Sequence, residues 1–184
     1  MTSVDICNKQ ILESAGNQEG ILKVTILAVG KVKENYLREG IEEYRKRLSK
    51  FCETEIIEVG DEKTPDQAPQ ALVDQILKKE GERLLKVLQG YDRRTTYITA
   101  LAIEGKMISS ETFSEKISDA MLHGKNHFVF VIGGSLGLYP QVLKSADELL
   151  SFSAFTFPHQ LMRLIFLEQF YRAMKIRSGE PYHK

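Results

Sequence analysis

Residues 128–138 read FVFVIGGSLGL. Phe128 to Ile132 are all β-branched or aromatic, which suits a strand covered on both faces, the usual state of a strand in a parallel sheet. Gly133 and Gly134 end the run, and Gly137 follows. Lacking a Cβ, such residues let the chain turn sharply and bring backbone N–H groups close to a ligand. The spacing is not GxGxxG, and no Lys-Ser or Lys-Thr pair follows as in a phosphate loop. On its own, this is a strand-to-loop turn.

Downstream, Ser151 to Phe157 reads SFSAFTF, aromatics interleaved with small hydroxyls just before Pro158. That pattern makes an odd strand; as a loop it would lay apolar side chains and backbone groups around a flat ring. Pro158, with φ fixed and no N–H, suits the first turn of a helix over residues 160–177. Leu161, Leu164, Ile165, Leu167, Phe170, Tyr171 and Met174 are too wide a set for one amphipathic stripe, so this helix is expected to pack on two sides.

Upstream, Leu22 to Val29 forms a strand closed by Gly30. Lys31 to Lys50 follows as a charged amphipathic helix, with Tyr36, Leu37, Ile41, Tyr44 and Leu48 on its apolar face. Glu55–Val59 is a second strand, and Ala71–Gln89 a helix with Gly81 as a weak point. Thr95–Ile103 is a third strand, ended by Glu104-Gly105-Lys106. Ser109 or Ser110 caps the next helix, which runs to Gly124. Alternating strands and helices from Leu22 to Tyr171 specify an α/β fold, a mainly parallel sheet with helices on both faces. Ligands of such sheets sit beyond the carboxyl ends of the strands. The end of the third strand, the Gly133-Gly134 turn and the 152–157 loop are therefore expected together.

At 184 residues the chain is one domain by length, and its 42% apolar and 27% charged content is that of an ordinary globular protein. Formal net charge is zero, so no global field argues for nucleic acid. Cys7 and Cys52 lack metal or redox spacing and read as free thiols in a reducing cytosol. No apolar run is long enough to span a membrane and no signal peptide opens the chain, giving a soluble, cytoplasmic expectation. Residues 1–21 are polar and read as a flexible extension ahead of a domain at 22–184. One expectation is that translation starts at Leu22. His123, His127 and His159 read as structural, and no metal site is expected.

LKVTILAVGK, ALAIEGK, FVFVIGGSLGL, LSFSAFTFPHQLMRL, EQFYRA and a terminal PYHK stand in register from Leu22 to Lys184. Together they closely resemble the small SPOUT-class methyltransferases, the large-subunit ribosomal RNA methyltransferase H family, which methylate pseudouridine at N3. The resemblance implies a C-terminal trefoil knot, a rarity among folds. It also implies S-adenosylmethionine as cofactor, held by Leu101, Gly133, Phe152, Ser153, Ala154, Phe155, Thr156 and Phe157. It further implies a homodimer whose site is shared between one subunit's knot and its partner's tail. The second face of the 160–177 helix would then be the dimer contact.

On this resemblance Arg163 and Arg172 are candidates to stabilise negative charge on the base or hold a phosphate. His183 is a candidate proton acceptor, and Tyr182 a residue that could stack on a base. From Phe157 on, Arg163, Arg172, Lys175, Arg177 and Lys184 stand against Glu168 and Glu180, a basic segment expected to meet RNA. Ala102 departs from the family, which commonly carries a carboxylate there, so weaker cofactor binding is one expectation. The alternative reading is an RNA- or ribosome-binding protein that kept the fold and lost turnover; a small-molecule nucleotide enzyme is disfavoured by the missing phosphate motifs.

Overall fold

The computed structural model describes residues 21–181. The expected extension, apart from Ile21, lies outside the described residues, as do Tyr182 and His183. Five strands, β1 (Lys23–Val29), β2 (Glu53–Val59), β3 (Thr96–Met107), β4 (His127–Ile132) and β5 (Glu148–Ser151), form one sheet in the order β2-β1-β4-β3-β5. Every pairing is parallel. The helices are α1 (Asn35–Leu48), α2 (Gln70–Leu88), α3 (Ser110–Leu122), α4 (Pro140–Ser145) and α5 (His159–Arg177).

Period-two alternation in the central strands splits the core. Val24, Ile26 and Ala28 of β1 with Phe128, Phe130 and Ile132 of β4 face α1, α3 and α5. Leu27, Val29, Val129 and Val131 face α2 and α4. The first face is aromatic: the Phe130 and Phe166 rings lie 4.2 Å apart, and Phe113 and Phe170 pack edge-on against Phe130. Ser109 caps α3 as expected, its hydroxyl accepting from the Thr112 N–H.

Several expectations change. Helix α1 starts at Asn35 rather than Lys31, and Tyr36 points outward at 66% exposure. Strand β3 does not stop before Glu104 but runs on to Met107. Leu150 of β5 pairs with both Leu101 and Lys106, leaving the residues between as a bulge. Gly105 permits this, since a Cβ there would lie 2.6 Å from the Leu150 carbonyl carbon. The short α4 and β5, which the sequence reading did not predict, lie between the glycine turn and the 152–157 loop. The width of α5's apolar surface is largely met within the chain, because α5 sits between α1 and α3.

Candidate active site

The three predicted turns do meet. The carboxyl ends of β3, β4 and β5 and the start of α5 enclose a cleft of about 720 Å³. Leu101 to Glu104 form one wall, Ile132 to Leu138 the floor, and Leu150 to Ser153 with Phe155 to His159 and Met162 the other wall. Of the residues expected to hold a cofactor, Leu101, Gly133, Phe152, Ser153, Phe155, Thr156 and Phe157 line it; Ala154 does not. The Ser153 hydroxyl accepts from the Phe155 N–H, and the Ser151 hydroxyl donates to the Ser153 carbonyl, so the loop is braced by its own small hydroxyls. Phe152 and Phe157 also line a second cavity of about 240 Å³ behind it, bounded by Phe113, Ile165 and Gln169. A third groove, of about 920 Å³, lies near the amino ends of β1 and β2, the end opposite to that where parallel sheets gather ligands.

The floor is set by close backbone packing. A Cβ on Gly133 would lie 2.3 Å from the Gly137 carbonyl oxygen, and one on Gly134 would lie 2.9 Å from Glu80 Oε2. Glu80, on α2 beneath this turn, is buried; its Oε1 accepts from the Glu62 N–H at 2.9 Å, and its Oε2 has no hydrogen bond among the described residues. Burial raises its pKa, the hydrogen bond from the Glu62 N–H and the Arg83 charge oppose the shift, and the Asp61 and Glu62 carboxylates add to it. Tyr139, just past the turn, rests on α2 where Gly81 leaves room.

Arg163 is not at the cleft surface. It is fully buried, and its guanidinium donates to the carbonyls of Val29 and Gly30, both at 2.7 Å, with Glu58 3.4 Å away. It ties α5 to the end of β1 and is not exposed to a nucleobase. Arg172 pairs with Glu168 at 2.6 Å, and Lys175 pairs with Glu180. Much of the positive charge read from this segment is thus matched by carboxylates of the same chain. Cys52 is buried and free, its thiol pushed up to about 11 by burial. Among the described residues no group of side chains could hold a metal, and no helix is long and apolar enough to cross a membrane.

His159, read from sequence as structural, lines the cleft at the first residue of α5. Its Nε2 and the Asp61 side chain approach the same point, 3.6 and 3.5 Å from where a Gly30 Cβ would be. Gly30 has φ +77°, which a glycine adopts freely. Burial lowers the His159 pKa, Arg163 and Lys33 lower it further, and Asp61 opposes them. No periodicity in the sequence marks this residue; its place after the 152–157 loop is the one available signal. His127, by contrast, is hydrogen-bonded to Thr25 Oγ1 at 2.8 Å, a structural role as expected.

A family model described as predicted SPOUT methyltransferase matches residues 22–183. The chain belongs to the SPOUT methyltransferase family. It is 57% identical over 163 residues to the ribosomal RNA large subunit methyltransferase H of Bifidobacterium adolescentis, covering 89% of this chain and 100% of that one. With the protein of the same name from Streptococcus sanguinis it shares 50% identity over the same shares of both chains. Among solved structures it is similar to a probable methylase family protein from Haemophilus influenzae Rd KW20. That match has 12% identity and a TM-score of 0.48, over 88% of this chain and 70% of the other. In this SPOUT methyltransferase the cleft among the three turns is the candidate active site.

Proposed function

We propose that this SPOUT methyltransferase transfers a methyl group from S-adenosylmethionine to N3 of a pseudouridine in large-subunit ribosomal RNA, on assembled ribosomes in the cytoplasm. The observation that carries the reading is the cleft itself, with a glycine floor, an aromatic and hydroxyl wall, and Glu104 and His159 as its titratable side chains among the described residues. Its volume suits a ligand of cofactor size. Its small hydroxyls and the backbone N–H and C=O groups of its turns can hold an adenine and a ribose without charged partners. The residues present therefore fit the cofactor.

When bound, S-adenosylmethionine supplies an electrophilic methyl on a sulfonium, so the protein's task is orientation in line with the nucleophile. Leu101 and Gly133 are assigned to the base-binding end, and Phe152, Ser153, Phe155, Thr156 and Phe157 to the enclosing wall; Ala154 holds the wall's backbone path. The fold reading includes a trefoil knot in the C-terminal part, and the active unit is a homodimer. In that dimer Tyr182 and His183 of a partner subunit's tail close the cleft, and Arg172 contributes to holding RNA. Arg163 acts only by positioning β1 and α5.

The test is labelled methyl transfer from S-adenosylmethionine to ribosomes from a strain lacking the modification, followed by nucleoside mass spectrometry. Label in an N3-methylpseudouridine of the large subunit is expected. Ribosomes left unlabelled by a folded protein would overturn the reading.

A further inference from the structure

The reaction proposed above leaves one group without a role: the half-buried His159 imidazole on the cleft wall. We propose that His159 accepts the proton that leaves the target base nitrogen during methyl transfer, and that the nearby Asp61 carboxylate stabilises the charge it gains. The inference rests on the methyltransferase reading and deepens it.

Three observations carry it. His159 lines the same cleft as the glycine floor and the 152–157 wall, at the start of α5, so its backbone is fixed by a helix rather than by a mobile loop. Its ring forms no hydrogen bond to the described residues, so its acceptor capacity is not used within the fold. Its Nε2 and the Asp61 Cβ and Cγ all lie within 3.6 Å of the point a Gly30 Cβ would occupy, so the carboxylate stands near the ring without a hydrogen bond to it among the described residues. A neutral imidazole keeps one ring nitrogen with a lone pair to offer the substrate. The charged groups around the ring are Asp61 from the β2–α2 loop, Lys33 from the β1–α1 loop and Arg163 on α5. Two cations against one exposed carboxylate, added to burial, favour the neutral ring at physiological pH. A neutral imidazole is a competent general base there.

The step balances without another reactant. The N3–CH₃ bond forms as the S–CH₃ bond breaks, and the electron pair of that bond stays on sulfur as a thioether. The N3 proton passes to the unprotonated ring nitrogen of His159 and from there to solvent. Asp61 stabilises the imidazolium that forms.

The experiment is single-turnover methyl transfer to unmodified ribosomes across pH 5 to 9, with wild type, His159→Gln and Asp61→Asn. Calorimetry with S-adenosylmethionine and thermal denaturation of each protein accompany it. Expected for His159→Gln is a fall in rate of about 100-fold, with donor affinity within about threefold and the low-pH limb of the profile abolished. Asp61→Asn should keep that limb but move it to lower pH, since a carboxylate beside an imidazole raises its pKa. A His159→Gln protein that keeps the wild-type rate and limb overturns the inference while leaving the methyltransferase reading intact. So does one whose rate falls only in proportion to lost donor affinity or lost folded protein. Wild type without transfer activity overturns the methyltransferase reading itself.

Discussion

Arg163 shows how far a residue type can mislead. On a helix beside a presumed RNA site, an arginine reads as a phosphate or base ligand; here its guanidinium carries the carbonyls of Val29 and Gly30. Replacing it with Ala leaves two buried carbonyls without their guanidinium donor, and should cost roughly 3 kcal/mol or more in chemical denaturation. Lys, with a point charge and no planar fork, is expected to recover little of this. Glu80 gives a second prediction. Because its folded pKa lies above its unfolded value, there is no penalty at a pH below both, where both states are protonated. As pH rises through the unfolded value the unfolded chain ionises first and stability drains until the folded value is passed. Glu80→Gln keeps the acceptor for the Glu62 N–H and removes this loss. Its melting temperature should match wild type near pH 4 and exceed it at pH 8. Neither role was legible from sequence, because periodicity gives a residue's face on an element and not the atom its side chain meets.

The long, periodic elements were legible and the short ones were not. β1, β4, α2 and α5 follow from long or continuous runs rich in apolar residues, whereas α4 and β5 are too brief to stand out. Glu104-Gly105-Lys106 has a turn's composition, yet it continues β3, because β5 supplies backbone partners that no local pattern reveals. Gly81 in α2 is the sharpest case. Propensity alone says that Ala would stabilise an α-helix there by about 1 kcal/mol. A Cβ would, however, lie 2.4 Å from the Tyr139 Cβ. Gly81→Ala is therefore expected to destabilise by about 1–2 kcal/mol in denaturant titration and to loosen the glycine floor that Tyr139 anchors. A stabilised variant would show that the β4–α4 segment shifts freely over α2.

At the scale of the molecule, the three-turn cleft at the sheet's carboxyl edge was legible because parallel topology and three sequence signals agree. With α5 flanked by α1 and α3, what remains outward is Leu161, half-buried and outside the core clusters, together with the more exposed Phe155, Phe157, Ile103 and Met107 at or near the cleft rim. A homodimer built on this surface should dissociate in Leu161→Glu, read by sedimentation velocity, with methyl transfer falling in step and far-ultraviolet dichroism unchanged. A variant that stays dimeric would move the interface elsewhere.

The strand order has a consequence for how the chain is made. β1 sits at the heart of the sheet between β2 and β4, and Lys23 to Ala28 align with His127 to Ile132. During synthesis the first strand therefore emerges with one edge that nothing can satisfy until residues past 126 have left the exit tunnel. Such distant pairing makes assembly slow and exposes a sticky intermediate along the way. Nascent chains halted before that point should be degraded or captured by chaperones, and those released beyond it should become protease-resistant.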